Sequence, residues 1–257
     1  MKPASTIVIG AGVVGLCAAY NLAKPAQKVI MVGRGPVKSG ASTGNAGILA
    51  LGHPPLPRPG LVWKTIKWML NKGSPLYMPP RIDFGLMKWM WEFRKACTAD
   101  HFQHCMRILA EWGWATGRCW DQLVEQENID CEYRTTGWLD VFRTKEGMEH
   151  GLHEAELLRQ YDFEVNVMSG DELRRHEPCF KPQIVGAAHY TDSRFVSPNK
   201  FMAGLAERVR GMGVEFNTKG EVRRLNASGG RFSGVELADG RTINGDTAVL
   251  AAGVWTT

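Results

Sequence analysis

No aspartate or glutamate occurs before Asp83, although ten of the 31 lysines and arginines lie in that stretch. The absence excludes a local carboxylate partner for anything bound near the N-terminus. It also leaves a positive field there that suits an anionic cofactor, an anionic substrate or an acidic membrane surface. The six cysteines, at 17, 97, 105, 119, 131 and 179, form no C-x-x-C pair. That pattern offers neither a readable disulfide framework nor a paired zinc motif, and it points to a reducing, cytoplasmic location. Nor is there a long apolar run: Ser5–Ala23 is uncharged but interrupted by Gly10, Gly12 and Gly15, which argues against a transmembrane helix. The same stretch lacks an A-x-A cleavage site and does not read as a secretory signal. Internal repeats and low-complexity tracts are absent as well. With 44% hydrophobic and 22% charged residues, the 257-residue chain has the composition of an ordinary folded protein of one or two domains.

What is present begins with a β-branched run, Thr6–Ile9, that ends in GAGVVG and is followed by the helix-forming LCAAYNLAK and the apolar KVIMV. This order predicts a strand, a glycine turn, a helix and a second strand. Gly10, Gly12 and Gly15 spell G-x-G-x-x-G at the strand-to-helix junction, where the pattern has a physical meaning. Glycines allow a tight turn and close backbone approach, so the helix N-terminus directs free amides and its positive dipole at a pyrophosphate.

Farther along, PPLPRPG at 54–60 predicts a stiff loop. Residues 61–126 read as tryptophan-rich helices broken near SPLYMPP at 74–80. In LVWKTIKWML, Val62, Ile66 and Met69 share one face, and Lys64, Lys67 and Asn71 another. After Asp130 the pattern mixes strands and helices. Ser197 followed by Pro198 marks a helix start that runs to about Gly211, and ADG at 238–240 marks a hairpin turn. The spacing of Cys97, His101, His104 and Cys105 brings possible ligands to one helical face, yet a single helix cannot wrap an ion, and no metal site is expected. Nucleic-acid binding has only local positive charge behind it and is not expected either.

IVIGAGVVGLCAAYNLAK, SGASTGNAGIL, GWLDVFRT, SPNKFMAGLAERVRGMGVEF, EVRRL and VLAAGVWT, in this order, resemble the FAD-dependent enzymes of the D-amino acid oxidase family. KTIKWML and LMKWMWEFRKAC are similar to its bacterial D-amino acid dehydrogenase branch. The resemblance implies an α/β fold: an FAD/NAD(P)-binding Rossmann-like domain of the glutathione-reductase type with an inserted α+β substrate domain. The cofactor domain would comprise residues 1–82 and 195–257, and the substrate domain 83–194.

The resemblance also implies that the turn Gly10, Gly12, Val13, Val14 and Gly15 meets the FAD pyrophosphate. Ser42, Asn45, Ala46 and Gly47 would pass beside the pyrophosphate and flavin, Arg34 would lie near the adenosine, Val222 would meet the adenine, and Ala252 and Gly253 would line the return strand. The implied reaction is oxidative deamination of a D-amino acid to a 2-oxo acid and ammonia, with hydride transfer to flavin N5, so that the cofactor carries the chemistry. Another small amine such as glycine, sarcosine or proline is the alternative substrate. A non-catalytic flavin-binding fragment is the alternative product. His53 and Arg143 are candidate substrate contacts, competing with readings as a loop histidine and an exposed strand arginine.

Two further expectations concern partners. A respiratory quinone is implied as electron acceptor, and the Trp-rich basic helices have the composition of a peripheral membrane contact at the inner face of the cytoplasmic membrane, or of aromatic packing in the substrate domain. Two departures stand out. Gly33 occupies the position where the family carries an acid for the ribose, a loss that costs about 1–3 kcal/mol if the hydroxyl stays unpaired. VLAAGVWTT closes the chain where the family continues into a second flavin contact and most of its carboxylate-binding residues, so the chain reads as C-terminally truncated.

Overall fold

A computed structural model describes residues 5–25, 27–37, 40–74, 77–79 and 82–256. The elements run β1 (Ser5–Ile9), α1 (Val13–Ala23), β2 (Lys28–Val32), β3 (Ile48–Leu49), α2 (Leu61–Leu70), α3 (Phe84–Ala96), α4 (Ala99–Glu127) and β4 (Trp138–Phe142). They continue through α5 (Lys145–Arg159), β5 (Val165–Ser169), α6 (Gly170–His176), β6 (Gly186–Tyr190), β7 (Arg194–Phe195), α7 (Pro198–Gly211) and β8 (Glu215–Asn217). The chain closes with β9 (Val222–Ser228), β10 (Arg231–Leu237), β11 (Thr242–Asn244), β12 (Thr247–Leu250) and a 3-10 turn at Gly253–Trp255. Pro75, Leu76 and Pro80 of the expected helix break lie outside the described residues.

Two compact units emerge. The first comprises Met1–Ile48, Asp121–Arg134 and Phe195–Thr257. Its centre is a parallel sheet in the order β12-β1-β2-β8, with Ile9 level with both Val32 and Leu250. Thr6–Ile9 and Val29–Val32 are buried throughout, which is why both strands read as unbroken apolar runs instead of alternating ones. A second layer is the antiparallel meander β9-β10-β11: Val235 and Leu237 pack on Ile7, Ile9, Ile30 and Val32. The ADG turn closes this meander, with the Gly240 amide donating to the Leu237 carbonyl. Helices α1 and α7 pack together, burying Leu16, Ala19 and Tyr20 of the one and Phe201, Leu205 and Val209 of the other. Ser197 stands at the N-cap of α7 with Pro198 in the first turn, as its sequence predicts, but the serine side chain makes no capping bond. The fold is therefore the Rossmann-like α/β type.

The second unit comprises Leu49–Trp120 and Thr135–Arg194. Its antiparallel sheet runs β4-β6-β5, and α5 lies so close to it that a Cβ on Gly151 would fall 2.1 Å from the Phe142 ring. Trp114 stacks on Phe163 at 4.9 Å over a core that includes Leu51, Met106, Leu158 and Ala188. Helix α3 differs from the other helices of this unit in having no buried residue at all.

Candidate cofactor site

The site forms where β1 ends. Gly10 has φ +114°, and its amide donates to the Val32 carbonyl at 2.8 Å, which ties the turn to β2. A Cβ on Gly10 would stand 2.3 Å from the Ala251 carbonyl oxygen, and one on Gly15 would stand 1.9 Å from that of Gly10. These two glycines serve the packing of the turn itself. Gly12 differs: it is the N-cap of α1 with ordinary φ, and an added Cβ would meet only Ser42 Oγ, at 3.1 Å.

Opening the helix here leaves backbone donors without helical partners. The Val13 amide donates to Ser42 Oγ at 3.0 Å, whereas those of Gly12, Val14 and Gly15 make no hydrogen bond among the described residues. Val14 is also exposed at the surface. Unpaired amides at a helix N-terminus, with no acidic side chain in its first turn, form a setting that favours a diphosphate. The residues present thus fit the pyrophosphate of a dinucleotide, although one of the expected donors is already engaged by Ser42.

The flanking candidates gather in the same unit. Asn45 folds back on its own loop, Oδ1 accepting from the Gly47 amide at 2.8 Å and Nδ2 donating to the Ala41 carbonyl at 3.1 Å. Ala46 is exposed. Gly47 has φ +68°, its carbonyl accepts from the Val196 amide, and a Cβ there would lie 1.9 Å from the Val196 oxygen. Val222 opens β9 opposite Leu237 and packs on the core beneath β1 and β2. Ala252 caps the 3-10 turn and Gly253 follows with φ +61° and open space around it. At Gly33 the amide donates to the Asn217 carbonyl and the carbonyl accepts from Gly220, so the backbone is satisfied without any side chain. Arg34 is exposed, with its guanidinium 4.1 Å from the Trp255 ring centroid. Trp255 is a contact that sequence reasoning missed, since nothing in the spacing of GVWT signals a cation partner more than 200 residues away.

His53 and Arg143 belong to the second unit. A His53 ring nitrogen lies 3.0 Å from the Pro54 carbonyl, and Arg143 is exposed with no ion pair among the described residues. Near them lies a cavity of about 360 Å³ between β4, β6 and α5, lined by Asp140, Phe142, His150, Glu154 and Tyr190, which no local sequence pattern signals. Partial burial and then the Glu154 charge push the Asp140 carboxyl up, while His53 opposes the shift. Burial also raises the Tyr190 hydroxyl, assisted by Glu154 and Asp140. Glu154 itself pairs with Arg58 at 3.6 Å. Cys105 Sγ sits 3.4 Å from His101 Nε2, but no three metal-ligating side chains converge among the described residues.

Comparison with known proteins gives this geometry its family. A D-amino acid dehydrogenase of Helicobacter pylori (strain ATCC 700392 / 26695) is 29% identical over 248 residues, 96% of this chain. The chain spans 59% of the length of that relative. Glycine oxidase from Bacillus cereus ATCC 14579 matches the fold with a TM-score of 0.68 and 20% identity, over 99% of this chain and 56% of that one. L-proline dehydrogenase from P. horikoshii does so with a TM-score of 0.65 and 14% identity, over 99% and 54%. Residues 5–257 match the family described as FAD dependent oxidoreductase, and the chain accordingly belongs to this DAO family, whose cofactor is FAD.

Proposed function

We propose that FAD is held at the glycine turn and that the protein oxidatively deaminates D-amino acids. The observation that carries the first half is the set of amides at Gly12, Val14 and Gly15 that are unpaired among the described residues, within a stretch that has no carboxylate before Asp83. In this reading Gly10 and Gly15 shape the turn, Gly12 leaves room for the diphosphate, and Ser42, Asn45, Ala46 and Gly47 form its outer wall. Arg34, Val222, Ala252 and Gly253 frame the remainder. FAD, when bound, supplies the two-electron redox chemistry. The substrate's Cα–N unit loses two electrons and two protons to give an imine, and water then replaces the nitrogen to release a 2-oxo acid and ammonia. Likeness to the Helicobacter pylori dehydrogenase supports the D-amino acid as substrate. His53 and Arg143 are the candidate substrate contacts.

The test is direct. Purified protein should carry, or take up, flavin absorbance in near-stoichiometric amount, and D-alanine should reduce an artificial acceptor in its presence. A colourless protein that refuses FAD would overturn the cofactor reading. Reduction by sarcosine but not by D-alanine would move the substrate to another small amine.

We further infer that α3 meets an anionic membrane surface and that a quinone there accepts the electrons. Phe84, Met87 and Trp91, at helical spacing, are 81%, 59% and 53% exposed, and Lys88, Arg94 and Lys95 stand among them with Glu92 as the lone acid. A helix with no buried residue, carrying aromatic and basic side chains on one face, suits the lipid interface.

A further inference from the structure

The carboxyl edge of the parallel sheet holds a contact that bears on the missing acid at residue 33. The turn after β1 is flanked on both sides: Gly10 abuts Ala251 beyond β12, and a Cβ at Gly33 beyond β2 would lie 3.3 Å from Ala11 Cβ. One residue past Gly33 and four past Ala251, Arg34 and Trp255 meet with 4.1 Å between guanidinium and ring. The two side chains thus reach toward each other from opposite flanks of the glycine turn. Arg34 has no ion pair among the described residues, and Trp255 is 67% exposed.

A guanidinium is planar, permanently charged and rich in donors at its edge. Stacking one face on an indole leaves the other face and the edge free, and it fixes a side chain that would otherwise sample many rotamers. We propose that Arg34, held in place by Trp255, substitutes for the absent acid: it donates to the adenosine ribose hydroxyls, where a carboxylate would accept from them. Trp255 is then a positioning residue that acts through Arg34. A consequence follows from charge. A carboxylate at residue 33 would repel a phosphate on the ribose 2′ oxygen, whereas Arg34 attracts one.

This inference rests on the proposed dinucleotide site, and the experiment separates the two. Binding of 5′-ADP and of adenosine 2′,5′-bisphosphate to the cofactor-free protein is measured by calorimetry, with circular dichroism verifying the fold of each variant. Wild type should bind the bisphosphate more tightly than 5′-ADP. Arg34→Ala should weaken both by about ten- to hundred-fold and abolish the preference. Trp255→Ala should weaken both by about two- to five-fold, and Trp255→Phe should restore most of that loss. Gly33→Glu should reverse the preference toward 5′-ADP. If wild type binds neither nucleotide, the dinucleotide site itself fails. If wild type binds but Arg34→Ala changes nothing, or Trp255→Ala tightens binding because the ring is an obstruction, the site survives and this inference falls.

Discussion

Three glycines that look alike in the sequence do different physical work. Gly15 has no room for a methyl group, because the carbonyl of Gly10 occupies the space at 1.9 Å, and that oxygen belongs to backbone that cannot move aside. Gly47 combines the same obstruction, from Val196, with a positive φ. Gly12 meets only a serine hydroxyl. Gly15→Ala and Gly47→Ala should each destabilise the protein by more than about 3 kcal/mol, or prevent folding, in chemical denaturation. If FAD lies at the turn as proposed, Gly12→Ala should shift the unfolding midpoint little while weakening FAD at least about ten-fold, because the added methyl group points into the space the diphosphate would fill. Equal effects on stability at the three positions would contradict this division. The motif was legible as a spacing pattern, but the sequence does not say which glycine is closed in by the chain and which is left open. That distinction requires knowing what stands 2 Å away.

Among the elements, α1, the end of α4 and α7 are joined by one polar tie inside the first unit. Tyr20 donates its hydroxyl to Glu127, which also pairs with Arg208, and the Glu127 side chain is only 9% exposed. Burial first, then the hydrogen bond to Glu127 and its charge, push the Tyr20 hydroxyl from an ordinary value of 10.0 up to about 12, with Arg208 opposing. A raised pKa on a group that is neutral when protonated means that the tie is complete below pH 10 and is lost as pH rises toward 12. The unfolding midpoint should therefore fall across that interval, and Tyr20→Phe should flatten the dependence at a cost of about 1 kcal/mol near neutrality. Glu127→Ala should cost about 2–3 kcal/mol, since it leaves a buried hydroxyl unpaired. Unchanged alkaline profiles in both variants would dismiss the tie. The helices α1 and α7 were visible from composition and from the Ser197-Pro198 start. Their connection through Glu127 was not, because a contact between residues 107 apart leaves no local pattern.

At the scale of the molecule, charge and apolar surface are distributed unevenly. Bases without acids fill the N-terminal stretch, and the exposed aromatic face of α3 begins just beyond it. If α3 meets lipid, the protein should sediment with phosphatidylglycerol vesicles at low salt, release as salt rises, and ignore neutral phosphatidylcholine. Trp91→Glu should reduce the bound fraction several-fold without altering the fold. Sedimentation that is insensitive to that change would place the contact elsewhere. No helix among the described residues is long and apolar enough to cross a membrane, so an interfacial contact is the mode to test.

The sequence by itself determined the strand, glycine turn and helix of the cofactor half, the apolar runs of its parallel sheet, and the order of motifs that carries the family. Each of these is a local pattern, set by backbone sterics or by burial on both faces of a strand. Only the tertiary structure decided that Ser42 would take the Val13 amide, that Arg34 would find Trp255, and that Asp140, Glu154 and Tyr190 would share a cavity. Those outcomes depend on which surfaces meet after the chain has closed on itself, and segments far apart in sequence record no sign of that meeting in their own composition.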